Sequence, residues 1–230
     1  MVLGGMLLFV SACGATEEIK TETLSGTVPD ELEYIPEEYK KPADHPGTLE
    51  KLTYETWESF SYEDHSQKLT KEAWVYLPYG YDENEKYHVF YLSHGGWSDE
   101  TTIMGTDTDQ FHNELVNDLI PAVESKYSTY AEDTTLEGLA ESRDHRGFGV
   151  FSMGSVNTWN TFRYCLDYFR YFMPMSGSYS LDGQYMAELV KQQGHDADGN
   201  MSFLEREGYE HNGTACDEYT YNGLRFFWNK

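Results

Sequence analysis

Gly147-Phe148-Gly149-Val150-Phe151-Ser152-Met153-Gly154-Ser155 is the stretch on which the fold turns. Its first half, Gly147 to Phe151, is short and apolar and reads as a strand, and Met153 to Leu166 reads as a helix. Strand, sharp turn and helix in direct succession leave Ser152 at the turn. In the G-x-S-x-G pattern such a serine is held in a strained conformation with its hydroxyl presented, and its neighbours must be small. Gly154 meets that requirement. Gly149 lies one position too early, and the β-branched Val150 stands where the tight turn usually has no side chain, so crowding is expected there. A serine before a helix also serves as an N-cap, and these residues alone leave both roles open.

Upstream, Tyr87-His88-Val89-Phe90-Tyr91-Leu92 is almost continuously apolar and aromatic, as a central strand covered on both faces requires. It ends at Ser93-His94-Gly95-Gly96-Trp97, where glycines let backbone N–H groups come close to a reacting oxygen. Gly95 and Gly96, with the N–H of Met153, are the candidate oxyanion donors, and Trp97 is a candidate substrate contact. Further upstream, Leu52 to Trp57 and Glu72 to Pro78 alternate and predict a meander at a sheet edge. Phe111 to Lys126 has helical spacing, with Phe111, Leu115, Leu119 and Val123 four apart. Pro121 within it predicts a kink or a later start.

Downstream, Tyr171 to Met175 predicts a strand, Tyr185 to Gln192 a helix, Met201 to Leu204 a weak strand and Cys216 to Trp228 a last helix. A serine needs a base to take its proton, and only His195 and His211 follow Ser152. His211 stands in a polar loop directly before the final helix. His195, in Gly194-His195-Asp196-Ala197-Asp198-Gly199, reads as a solvated turn, and His145 as a loop or packing residue.

The block Arg143 to Ser155 resembles the bacterial feruloyl esterases and related esterases of carbohydrate esterase family one. Ala73-Trp74-Val75-Tyr76-Leu77-Pro78, Tyr91-Leu92-Ser93-His94-Gly95-Gly96, Glu124-Ser125-Lys126-Tyr127 and Tyr171 to Gly177 recur in that family's order, covering most of residues 34 to 190. The resemblance implies an α/β-hydrolase fold, a three-layer α/β sandwich with a mostly parallel central sheet. It also implies a Ser152–His211 pair, no cofactor and no metal, and hydrolysis of feruloyl or acetyl esters on plant xylan. Family members carry a further strand after the His-Gly-Gly loop and another bearing the catalytic acid. Here Ser98 to Gln110 and Lys191 to Asn200 contain no apolar run, so a sheet reduced in strand number is expected. Asp196 or Asp198 has the right order for the acid, with Asp196 the first choice; Glu205 and Glu207 lie close to the base. The alternative these departures raise is a degenerate homologue that binds carbohydrate or a surface partner without chemistry.

Composition bounds these readings. The 230 residues, 39% hydrophobic, suffice for one sizeable core. Sixteen Lys and Arg against 40 Asp and Glu give a formal charge of −24, which excludes nucleic acid as a natural partner. Met1 to Val10 is an apolar run too short to span a bilayer, followed by Ser11-Ala12-Cys13, a small-residue pattern like a lipoprotein cleavage site. No Lys or Arg precedes it. The expected organisation is a leader over 1–13 with Cys13 lipidated, a tether over 14–48 and an esterase domain over 49–230. The product would be secreted and held to the outer face of a bacterial membrane by its lipid alone. Cys165 and Cys216 then remain; buried free thiols are expected, and a single bridge between them is the alternative.

Overall fold

Leu52, Tyr54 and Thr56 are buried while the residues between them face outward, the two-residue alternation of a half-covered strand. They belong to β2 (Thr48–Trp57), which pairs antiparallel with β3 (Lys68–Leu77) from Thr48↔Leu77 to Trp57↔Lys68. This is the expected meander, and β2 forms the sheet edge. In β4 (Tyr87–Ser93) burial is nearly continuous, as its composition requires of an interior strand. It runs parallel to β5 (Arg146–Phe151), which runs parallel to β6 (Tyr171–Met175). The computed structural model describes residues 7–12, 31–93, 110–152, 154–177 and 206–228.

The sheet is completed from an unexpected quarter. Leu7–Ala12, expected as part of a leader, forms β1 and lies inside the sheet, whose order is β2-β3-β1-β4-β5-β6. It pairs parallel with β3 over Leu7↔Trp74 to Phe9↔Tyr76 and antiparallel with β4 over Leu7↔Leu92 to Ala12↔Tyr87. An apolar run able to pair on both sides satisfies two rows of backbone donors and acceptors that would otherwise stay open. Cys13, the residue expected to carry lipid, lies outside the described residues.

The helix that follows β4 among the described residues has three segments: α1 (Phe111–Glu114), a π segment (Leu115–Leu119) and α2 (Ile120–Glu124). Pro121 cannot donate to the residue one turn back. The chain absorbs this with a wider turn, in which the Ile120 N–H reaches the Leu115 carbonyl, rather than by a later start. Two carboxylates, the buried Glu114 at the end of α1 and the half-buried Asp118 of the π segment, fasten this helix to the meander. Glu114 accepts from the Tyr54 hydroxyl at 2.9 Å, Ser59 Oγ at 2.6 Å and Lys71 Nζ at 2.7 Å. Asp118 accepts from Thr56 Oγ1 and the Tyr62 hydroxyl, both at 2.7 Å. The sequence reading missed this bracing, along with α3 (Leu136–Glu141), whose N-cap Thr135 accepts from the Gly138 N–H.

At the start of β5 the side chain of Arg146 is buried and all five of its donors are used. Nε reaches Glu124 Oε1 at 2.6 Å, and Nη2 reaches Glu124 Oε2 at 3.0 Å and Ser142 Oγ at 2.6 Å. Nη1 donates to the carbonyls of Leu139 at 2.9 Å and Tyr168 at 2.6 Å. The Tyr91 hydroxyl donates to Glu124 Oε1 at 2.9 Å, and burial together with the Glu124 charge pushes its phenol well up. A buried charge is tolerable only when it is paired and saturated in this way.

The chain divides into two compact units. Met1–Gly14 with Asp44–Gly177 contains the sheet and a core built from β2 to β5, the helix before β5 and the segment after α4 (Gly154–Tyr164). Ala15–Ala43 with Ser178–Lys230 contains α5 (Gly213–Phe226), the expected last helix. The expected helix over 185–192 and strand over 201–204 lie outside the described residues. Cys165 and Cys216 are free thiols, as expected, and burial raises the Cys165 thiol far above its ordinary range. No helix among the described residues is long and apolar enough to cross a membrane.

Candidate active site

Ser152 directly follows the last residue of β5 and adopts φ +65°, a left-handed backbone that a non-glycine residue takes up only where its surroundings force it. The turn is clamped from two sides. The Ser152 N–H donates to the Met175 carbonyl at 2.8 Å, continuing the ladder to β6, and the Ser155 N–H donates to the Ser152 carbonyl at 2.9 Å. Ser152 is 8% exposed. Helix α4 then begins at Gly154, so strand, turn and helix fall where the sequence put them. A plain N-cap needs an extended backbone at the capping residue, and Ser152 does not have one. Its geometry is that of a nucleophile elbow.

Val150, where crowding of the turn was expected, sits inside the strand rather than in the turn itself. Val150 is 0% exposed and part of the apolar core, still within β5 and two residues short of the turn. Gly149 answers a different demand: a Cβ there would lie 2.7 Å from Phe90 Cζ and 3.0 Å from Met173 Cβ. The small residue serves the packing of β5 between its neighbours, which is why it stands one position away from the usual pattern.

A second close approach supports the elbow from β6. A Cβ on Gly177 would fall 2.2 Å from the Ser152 carbonyl oxygen and 2.5 Å from Ser155 Cβ, and Ser155 Oγ donates to the Gly177 carbonyl at 3.4 Å. Gly177→Ala must therefore displace the turn that carries Ser152. Misplacement of a reacting group by about 1 Å costs about 100-fold in rate. A fall of about that size in kcat on an aryl acetate is expected, with Ser152 intact, and unchanged kcat would show that the contact is slack.

The other expected site residues divide sharply. His211 is described and exposed, in the second unit. It precedes Asn212, which caps α5 by accepting from the Ala215 N–H at 3.1 Å. Gly95, Gly96, Trp97, Met153 and Asp196 lie outside the described residues, as do Asp198, Glu205 and His195. Glu207 is described and exposed. His145 is a packing residue, as read: its ring stacks on Tyr130 at 3.6 Å and its Nδ1 lies 3.0 Å from His88 Nδ1. That pair sits where β4 and β5 begin, at the far end of the strands from Ser152. Burial and the neighbouring His145 hold the His88 imidazole down at about 4, so it stays neutral near pH 7.

No family model matches the chain. A solved structure described as FAE aligns with 86% of this chain and 94% of its own, at 30% identity and a TM-score of 0.68. The chain belongs to the feruloyl esterase family. Consistent with this, a serine-to-alanine mutant of the feruloyl esterase module from Clostridium thermocellum, complexed with sinapinate, aligns over the same shares of both chains. There the identity is 29% and the TM-score 0.64. Among curated proteins, Endo-1,4-beta-xylanase Y of Acetivibrio thermocellus is 41% identical over 176 residues, 63% of this chain. The chain spans only 15% of the length of that xylanase. The feruloyl esterase fold is an α/β-hydrolase, and the mostly parallel sheet with few strands matches it. Ser152, the candidate nucleophile, lies at the turn between β5 and α4 with a left-handed backbone.

Proposed function

We propose that this chain hydrolyses feruloyl or acetyl esters of plant cell-wall xylan through an acyl-enzyme on Ser152. The observation that carries this reading is the strained φ of +65° at Ser152, held between β5 and α4 by the Met175 and Ser155 hydrogen bonds. His211 takes the proton from Ser152 Oγ as that oxygen bonds to the ester carbonyl carbon. The backbone N–H groups of Gly95, Gly96 and Met153 stabilise the oxyanion. The C–O bond to the sugar breaks and His211 returns the proton to the departing alcohol. Water then attacks the acyl-enzyme by the same steps in reverse. Asp196 orients His211, and Trp97 contacts the substrate.

Two likenesses support the choice of ester. A feruloyl esterase module whose serine is replaced by alanine is known with sinapinate, a hydroxycinnamate, and the curated relative is a xylanase. The reading extends to a protein that meets xylan outside the cell; a lipid on Cys13 would require Leu7–Ala12 to be cleaved off and the sheet to close without β1. Purified protein should release ferulate from methyl ferulate and the alcohol from aryl acetates. Absence of turnover on both classes would remove the proposal.

A further inference from the structure

We propose that Arg206 is the positioning residue for His211. This rests on the reading of His211 as the base, and concerns only the unit that contains it. The base sits in a seven-residue loop, Arg206 to Asn212, whose two ends are fixed by different means. At the far end, Asn212 caps α5 and its own N–H donates to the Glu210 carbonyl at 2.9 Å. At the near end, the Tyr209 N–H donates to the Arg206 carbonyl at 3.2 Å, a turn made possible by Gly208 at φ +81°. What remains is to hold that turn against the rest of the unit, and Arg206 does so with both terminal nitrogens and the plane of its guanidinium.

Its guanidinium touches three pieces at once. Nη1 donates to Glu218 Oε2 on α5 at 2.8 Å and to the Tyr209 hydroxyl at 3.1 Å, while Nη2 donates to the Leu32 carbonyl in the lead-in segment. One face lies 3.8 Å from the ring centroid of Tyr34, and the Tyr209 ring is 5.2 Å away. The lead-in is itself tied to the same stripe of α5. Asn222 Oδ1 accepts from the Glu33 N–H at 2.8 Å, and Asn222 Nδ2 donates to the Glu33 carbonyl at 2.9 Å. Glu218 is 5% exposed and so depends on its arginine. Tyr209, two residues before His211, is thus held through its hydroxyl by Arg206 and edge-on by Tyr219. An exposed imidazole on a loop this short inherits its placement from those anchors. A planar fork with two usable faces is a demand only arginine meets.

Arg206→Ala is expected to lower kcat on methyl ferulate about 30- to 100-fold with KM changed less than about twofold, because the base is misplaced while binding is untouched. Arg206→Lys keeps the charge opposite Glu218 but loses the fork and the stack, and should fall between. Guanidinium chloride at low millimolar concentration should restore part of the kcat of Arg206→Ala and none of that of Ser152→Ala. A kcat at the native level in Arg206→Ala, with Ser152→Ala and His211→Ala both inactive, overturns this inference and leaves the reading of the base intact. Full activity in His211→Ala overturns that reading instead. If guanidinium restores the thermal midpoint of Arg206→Ala without any kcat, the residue is a structural brace and not a positioning one.

Discussion

Ser152→Ala should lower kcat on methyl ferulate by at least about a thousandfold, since loss of a triad nucleophile leaves only what binding and the oxyanion donors supply. The same position separates chemistry from stability. Serine and alanine pay alike for the left-handed backbone at Ser152, a cost on the order of 1–3 kcal/mol, whereas glycine adopts it freely. Glycine also gives its unfolded chain more freedom, which returns about 0.5–1 kcal/mol of that gain. Ser152→Gly is therefore expected to be inactive yet more stable, with a thermal midpoint up by about 1–4 °C. Calorimetry of the three proteins beside their kcat values tests both halves. Turnover in either variant would discard the acyl-enzyme, and a lower midpoint for the glycine variant would discard the strain.

Removal of residues 1–13 is expected to abolish the cooperative thermal transition. β1 is an interior strand, and its loss opens the facing edges of β3 and β4 at once, leaving two rows of backbone groups and the flanking apolar side chains to water. Comparison of residues 1–230 with 14–230 by calorimetry and far-ultraviolet circular dichroism measures the effect. Mass spectrometry of the protein from its native membrane addresses the processing question. The segment that pairs in the sheet is the one whose pattern predicts a cleaved leader with lipid on Cys13, and one mature molecule uses it in one way only. A lipid-modified chain beginning at Cys13 that melts cooperatively would show that the sheet closes without β1. A chain retaining Leu7–Ala12 would show that the leader pattern is a strand.

The parts of this protein legible in the sequence are those whose burial is periodic. β2 and β3 alternate, β4 and β5 are continuous, and Tyr171–Met175 forms β6 with the predicted bounds. Ser152 was legible because strand, turn and helix are contiguous there, so local spacing carries the geometry. Gly149 misled because its reason is non-local: the Phe90 and Met173 side chains come from strands on either side, and no spacing within the motif reveals them. Leu7–Ala12 is ambiguous on principle, since a short apolar run ending in small residues suits a leader and an interior strand equally. The Glu114 and Asp118 brackets were illegible for a related reason. Their partners Tyr54, Thr56, Ser59, Tyr62 and Lys71 lie 43 to 62 residues away, and a surface carboxylate looks the same in sequence.

Arg146 and Ser152 are the two ends of one rod. Six residues at about 3.3 Å each set them about 20 Å apart, and between them β5 has no slack. A slide by a single residue would present Gly147 to Glu124 and turn each side chain to the opposite face, with the guanidinium losing all five acceptors. Arg146 is thus a datum point: how far Ser152 stands beyond the sheet is gauged from an ion pair at the opposite end of β5. A mutational survey confined to the neighbourhood of the serine would overlook it.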